Sequence, residues 1–169
     1  MKKAILLLLV TIIALTVNAQ DEVLLKRAMN AYQRGLAKEA IRLFELVIEQ
    51  DSSIENYMWL AKSHFKEADA NFTNPDGYLN AYNAYEKVYK MDSTNFDAYL
   101  GMANSKYYRV YFKRRDRQNP IDKKWAFSEL DKIEAMYRLV KEKNQSWLYF
   151  EQALITIAEE RENVAQFGK

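Results

Sequence analysis

The feature of the sequence that most constrains the fold is a helical pattern that occurs twice, at residues 43–65 and 84–108. In each segment an apolar stretch leads to an Asp-Ser turn and then to a second apolar stretch. In the second stretches, Ala61 and Ala103 each lie four residues after a Tyr and four residues before an aromatic side chain. This spacing places large, small and large side chains on one helix face, so that another helix can approach closely at the Ala. The sequence therefore predicts an all-α fold built from pairs of helices.

The second helix of each pair has a pattern of its own, in which a small residue is followed by large residues four and seven positions later. This pattern begins at Ala40, Ala81 and Ala126. Together the two patterns resemble the tetratricopeptide repeat family, most closely in "LLKRAMNAYQRGLAKEAIRLFELVIEQDS", where Gly35 occupies the turn. The family period is about 34 residues, and Ala28 lies 33 residues before Ala61. The resemblance implies a superhelical stack of three to three-and-a-half helical hairpins.

The later repeats are longer than the family period, because additional residues separate their two helices. The sequences "ADANFTNPDG" and "FKRRDRQNPID" account for the difference and predict long inserts within repeats two and three. Pro75 and Pro120 suit the first position of the helix that follows each insert. A last helix, Gln145 to Gln166, would serve as a fourth first helix or as a cap on the third repeat. The alternative is a plain helical bundle whose spacing matches the repeat by chance.

The N-terminal segment has the pattern of a secretory signal peptide. Two Lys side chains precede an almost wholly apolar run from Ala4 to Val17. The pattern predicts a signal peptide over residues 1–19, cleavage after Ala19, and a mature domain over residues 20–169. The alternative is an uncleaved membrane anchor, although the run is short for a span of about 20 residues. The "NAQ" junction and the Lys- and Asn-rich, Cys-free composition resemble exported proteins of the Bacteroidetes group, which implies a periplasmic or cell-envelope location.

The charge balance and residue types of the mature chain argue against several functions. Once residues 1–19 are removed, 23 basic and 23 acidic side chains remain, which gives no general attraction to nucleic acid. The chain contains one His and no Cys, so the sequence offers no metal-ligand cluster and no Cys–His nucleophile. His64 takes an inward helix position and is expected to be a core residue. We therefore expect a binding protein without a metal or cofactor rather than an enzyme.

The resemblance to tetratricopeptide repeats implies a binding groove formed by the first helix of each pair. On this register, seven positions just outside the core are candidates for contacts with a partner protein: Tyr32, Lys62, Phe65, Lys66, Asn104, Tyr107 and Tyr108. The last two belong to an aromatic row with Tyr111 and Phe112. This row either forms part of the groove or packs beneath the insert of the third repeat.

A basic patch follows the aromatic row, between Lys113 and Lys124. The cations nearest to the row are Lys113, Arg114, Arg115 and Arg117. Export and a zero net charge argue against nucleic acid as their ligand. Two interpretations stay open, namely a solvated loop, or a contact with an acidic partner, a phosphate-bearing glycolipid or the membrane surface.

These patterns lead to one modification hypothesis and two functional ones. The triplet Asp92-Ser93-Thr94 matches an O-glycosylation pattern of the Bacteroidetes group with Ser93 as acceptor, although helix capping explains the same residues. The predicted function is an exported scaffold or adaptor that holds a segment of a protein partner in the groove. The alternative is a helical protein of the cell envelope that binds a glycan or another small ligand. The C-terminal "NVAQFGK", with Phe167, leaves self-association into a homo-oligomer open.

Overall fold

The computed structural model describes residues 22–71, 74–116, 118–144 and 149–167. These residues form seven α-helices and no strand, which confirms the predicted all-α class. The helices are α1 (residues 22–33), α2 (Ala37–Gln50), α3 (Ile54–Ala70), α4 (Gly77–Met91), α5 (Phe96–Arg115), α6 (Lys123–Lys143) and α7 (Phe150–Phe167). The predicted signal peptide lies outside the described residues. Within those residues, no helix combines the length and the apolar character that a bilayer span requires.

Consecutive helices pack against each other as antiparallel hairpins. In α4 and α5, Tyr89 contacts Tyr99 near the connecting turn, with ring centroids 5.0 Å apart. Farther from the turn, Tyr78 at the start of α4 stacks on Phe112 near the end of α5, at a centroid distance of 5.7 Å. From α2 to α7, every helix packs on the next one in the chain. Short connections make this arrangement the natural one, because they leave the following helix beside the preceding one.

The odd-numbered helices also contact one another. Side chains from neighbouring odd helices meet in three places, which are Lys66 with the carbonyl of Tyr32, Phe65 with Tyr108, and Arg114 with Glu160. The helices α1, α3, α5 and α7 therefore lie side by side, and their outward side forms what we call the odd-helix surface. All seven predicted partner-contact residues belong to helices of this set.

The small residues of the sequence pattern lie where helices approach most closely. Six alanines at these positions are fully buried, namely Ala28, Ala40, Ala61, Ala81, Ala103 and Ala126. Gly101 marks an even closer approach, since a Cβ atom built there would lie 2.6 Å from the ring of Tyr85. The predicted turn at Gly35 has a φ of +79°, a left-handed conformation that Gly adopts without strain.

The predicted inserts of the second and third repeats are partly helical. Several of the additional residues lengthen α3 as far as Ala70 and α5 as far as Arg115. The predicted helix starts at Pro75 and Pro120 are wrong, because α4 begins at Gly77 and α6 at Lys123. In α6 the first turn is capped by Asp122, whose carboxylate accepts a 2.6 Å hydrogen bond from the backbone N–H of Trp125. A carboxylate satisfies an unpaired N–H group of the first turn, which a proline ring cannot do.

Candidate functional site

A cavity of about 330 Å³ opens between α5 and α7, with α6 at one side. Nine residues line it: Leu100, Asn104, Tyr107, Tyr108, Tyr137, Tyr149, Gln152, Ala153 and Thr156. None of these side chains is ordinarily charged, and four of them are tyrosines. Three of the seven predicted contact residues are among them, and these three all come from α5.

The wall formed by α5 and α6 is fixed by a buried hydrogen bond. The hydroxyl of Tyr137, whose side chain is 5% exposed, donates to Oδ1 of Asn104 at 2.7 Å. A buried hydroxyl without an acceptor would destabilise the fold. The Asn104 amide is therefore held with its Oδ1 facing the hydroxyl of Tyr137. Burial raises the pKa of both Tyr137 and Tyr107, so that both phenols remain protonated at neutral pH. The cavity therefore offers hydrogen-bonding groups without a net charge.

The opposite wall belongs to α7 and its first residues. Tyr149, 71% exposed, stands just before the helix, and Gln152 and Thr156 follow one turn apart. The hydroxyl of Thr156 donates to the backbone carbonyl of Gln152 at 2.8 Å, which holds it against its own helix. The Gln152 side chain is exposed and no hydrogen bond restrains it among the described residues. This wall can therefore adjust to a ligand more readily than the α5 wall.

An ion pair holds α7 against α5 one turn beyond the cavity. The carboxylate of Glu160, which is 2% exposed, accepts hydrogen bonds from Nε and Nη2 of Arg114 at 2.6 and 3.2 Å. The sequence analysis did not single out this residue. Helical spacing would have identified it, because Glu160 lies three residues after Ile157 and four before Val164, on the buried face of α7.

The aromatic row of α5 packs against α3 and α4. Tyr108 contacts Phe65 and stacks on Tyr78, with centroid distances of 5.6 and 5.7 Å. Phe112 also stacks on the Tyr78 ring, at 5.7 Å, and its centroid lies 6.3 Å from that of Tyr108. The packing interpretation therefore describes much of the row, although its partners are Tyr78 and Phe65 rather than the insert. Tyr108 also lines the cavity, so it takes part in both the core and the odd-helix surface.

Three of the four remaining predicted contact residues gather around Trp59, which the sequence analysis did not single out. The ammonium groups of Lys62 and Lys66 lie over the rings of Trp59 and Tyr32, at 4.8 and 4.5 Å from the centroids. The Lys66 ammonium also donates to the backbone carbonyl of Tyr32 at 2.9 Å. These cations are engaged within the chain. The other predicted residues therefore form two groups on the odd-helix surface, whereas Phe65 belongs to the aromatic packing against Tyr108.

The first three cations of the basic patch form the end of α5 rather than part of a loop. Lys113 lies 3.2 Å from Asp76, Arg114 pairs with Glu160, and the guanidinium of Arg115 lies 4.0 Å from the centroid of the Tyr111 ring. Arg117 lies outside the described residues. The interpretation as a solvated loop is therefore wrong for the three described cations, because each contacts a group of its own chain at the C-terminal end of a helix, where positive charge is also favoured by the helix dipole.

The other singled-out residues have simple surroundings. His64 is partly buried, and burial lowers its pKa, although Glu45 and Glu67 oppose the change. The described residues contain no group of three side chains suited to hold a metal ion. Ser93 is exposed in the turn between α4 and α5, where Asp92 Oδ1 accepts hydrogen bonds from the N–H and hydroxyl of Thr94. Glycosylation of Ser93 stays a prediction.

No protein-family model matches the chain, and the curated proteins provide no match to its sequence.

Proposed function

We propose that this chain is an exported binding module of the tetratricopeptide-repeat type and not an enzyme. Its odd-helix surface holds an extended segment of a partner protein, and an uncharged side chain of that segment enters the cavity between α5 and α7. The observation that carries the proposal is the cavity itself, because it lies between two odd helices and presents tyrosines and amides without a charge. Such a lining favours contact area and directional hydrogen bonds.

The rigidity of the α5 wall supports this role. The rings of Tyr107 and Tyr108 pack edge to face, and their centroids are 5.3 Å apart. Asn104 is oriented by Tyr137. A wall that is ordered before binding loses little conformational entropy when the ligand arrives, which leaves more of the contact energy for affinity.

The repeat-like arrangement and the export are supported by separate observations. The contacts between odd helices, the fully buried alanines and the 33-residue spacing of Ala28 and Ala61 agree with stacked helical hairpins. The charged start and apolar run of residues 1–19 support passage across a membrane.

A neutral glycan is the second candidate ligand. The exposed ring of Tyr149 can stack on the apolar face of a sugar, and Asn104, Gln152 and Thr156 supply hydrogen-bonding groups for its hydroxyls. The uncharged lining favours a neutral sugar over an acidic one.

The test compares a substitution at the rim of the cavity with the same substitution at a distant exposed site. Gln152→Arg places a long side chain at the exposed rim of the cavity, and Gln50→Arg makes the same change at the exposed end of α2. Peptides selected from a random display library on the unmodified chain would be titrated against both variants. We expect Gln152→Arg to weaken binding by at least about tenfold and Gln50→Arg to leave it unchanged. A neutral-glycan array, probed in parallel, examines the second candidate.

The outcomes separate the two functions. Peptides that bind the Gln152→Arg variant as tightly as the unmodified chain would overturn the placement of the site in the cavity. Glycan binding that Gln152→Arg removes, with no selected peptide, would replace the first candidate by the second. Turnover of a small molecule that Gln152→Arg abolishes would overturn the proposal that the chain is not an enzyme.

A further inference from the structure

The outer face of α7 is acidic and has no following helix among the described residues. Five exposed positions share this face, which we call the acidic end face: Glu151, Ile155, Ala158, Glu159 and Glu162. At 3.6 residues per turn they span only about 100° of the helix circumference. Ile155 at its centre is 50% exposed. None of the three carboxylates has an ion-pair partner in the part of the chain that the structure describes.

A basic groove lies at the first two helices, α1 and α2, whereas the acidic end face belongs to the last described helix. It has a volume of about 410 Å³, lies between α1 and the start of α2, and is lined by Val23, Lys26, Arg27, Asn30, Ala31, Arg34, Leu36 and Glu39. Lys26 forms an ion pair with Glu22, with 2.6 Å between Nζ and Oε1. Arg27 and Arg34 are exposed and have no carboxylate partner among the described residues. Val23 and Leu36 leave apolar surface open beside them. We call this the basic end groove.

We propose that the acidic end face of one chain docks in the basic end groove of a second copy. Unpaired glutamates on the first would meet unpaired arginines on the second, and Ile155 would be buried against Val23 and Leu36. Opposite charges direct such an encounter, and the buried apolar side chains stabilise it. The contact joins different surfaces of two identical chains, so each added copy leaves one face of each kind open.

Charge also disfavours the symmetric arrangements. Two acidic end faces would bring Glu159 and Glu162 of both copies together, and two basic end grooves would do the same for Arg27 and Arg34. Like charges brought together at an interface oppose association. The pairing is therefore head-to-tail. As the concentration rises, copies add one after another to form short linear oligomers rather than stopping at a dimer.

The test measures mass as a function of concentration by sedimentation velocity, at low and high ionic strength. The protein is purified after expression of the whole coding sequence, and mass spectrometry determines its N-terminus. We expect the weight-average mass to rise with concentration and the rise to weaken with added salt, because exposed charges are screened beyond about 10 Å at 0.1 M salt.

Charge reversals identify the two surfaces. Arg27→Glu with Arg34→Glu, and separately Glu159→Lys with Glu162→Lys, should each weaken association by at least about tenfold. The control is Lys124→Glu with Lys143→Glu, which makes the same charge change as the arginine pair at exposed sites on α6 and should leave association intact. Circular dichroism confirms that each variant is helical.

Restoration of binding distinguishes head-to-tail docking from a general charge effect. Each double variant keeps one native surface, so an equimolar mixture of the two should associate, and the chain with all four reversals should associate with itself. A chain that stays monomeric at low ionic strength and high concentration would overturn the proposal. So would double variants that associate normally, or a mixture that fails to associate.

Discussion

Two regions of the molecule are held together by different means, although α5 belongs to both. Between α3, α4 and α5 the contacts are aromatic, with Phe65, Tyr78, Tyr108 and Phe112 in edge and stacked arrangements. Between α5, α6 and α7 several ion pairs join the helices. They join Arg114 to Glu160, Lys106 to Glu129, and Arg161 to Asp131 and Glu134.

The difference concerns what each region tolerates. Aromatic contacts stabilise in proportion to the area they bury, so a smaller side chain loses part of that stabilisation. A buried ion pair contributes little net free energy compared with an apolar pair of the same shape, but removing one partner leaves an uncompensated charge. The stability of the aromatic region should therefore depend on side-chain volume. The stability of the ion-paired region should depend on whether each buried charge keeps its partner.

The largest effect is expected at the centre of the aromatic region. Tyr78 is fully buried, so Tyr78→Ala removes a whole ring and should lower the free energy of unfolding by about 3–5 kcal/mol. Tyr78→Phe keeps the ring and loses only the 2.6 Å hydrogen bond from the hydroxyl to Asp69, for which we expect about 1 kcal/mol. Urea denaturation followed by circular dichroism measures both. Similar losses for the two variants would contradict stabilisation by ring packing.

The buried pair of α5 and α7 should show the opposite behaviour. Glu160→Gln removes the charge that faces Arg114 and should cost about 3 kcal/mol, because the guanidinium remains in a mostly buried site. The double variant Arg114→Met with Glu160→Leu replaces the pair by apolar side chains and should recover most of that loss. Denaturation of the three chains compares them directly. A double variant as unstable as the single one would mean that the charges themselves stabilise the contact.

The close approach of α4 and α5 should give a smaller effect, which depends on the ring of Tyr85. In Gly101→Ala the new Cβ would lie 2.6 Å from the Tyr85 ring, which should destabilise the chain by about 1–3 kcal/mol. When Tyr85→Leu has removed the ring, the same substitution should be neutral or stabilising, because Ala favours a helix over Gly by about 1 kcal/mol. A double-mutant cycle measures this coupling. Equal effects of Gly101→Ala in both backgrounds would exclude a clash with Tyr85.

Much of the helix packing could be predicted from the sequence, because spacing along one helix reports its buried face. The alanines of the large–small–large pattern and the turn at Gly35 lie where that pattern places them. The same spacing rule also places Glu160 on the buried face of α7, although a charged side chain is not ordinarily expected there. Where a polar side chain falls on a buried helix face, its position is the stronger indication and a partner should be sought on the neighbouring helix.

Contacts between distant helices could not be predicted in the same way. The meeting of Phe65 with Tyr108, and of Asn104 with Tyr137, depends on the angle and offset at which helices pack. Neither quantity is encoded in the periodicity of a single helix. The predicted contact residues all lie on odd-numbered helices, as their register indicated, whereas their division between the cavity, the Trp59 group and the aromatic packing needed the structure.

The smallest effect is a pH dependence at His64 on α3, a helix of the aromatic region. Burial lowers the pKa of His64 below its ordinary value of 6.5, so the unfolded chain binds a proton before the folded chain does. The free energy of unfolding should therefore fall as the pH falls below about 6.5 and level off below the folded pKa. The variant His64→Gln should lack this decrease. Above pH 7 the free energy of unfolding of the two chains should have the same pH dependence.

The ion-paired region should respond in a different pH range, which separates the two regions in one experiment. Burial acts to raise the pKa of Glu129, but hydrogen bonds from Lys106 and Lys132 outweigh it and lower that pKa below 4.5. The stability that Glu129 contributes is therefore present above pH 4.5 and lost as the pH falls through the folded pKa. Denaturation curves at a series of pH values should show the His64 step first on acidification and the carboxylate step afterwards. If His64→Gln keeps the first step, that step does not come from His64, and the aromatic region would be independent of pH in this range.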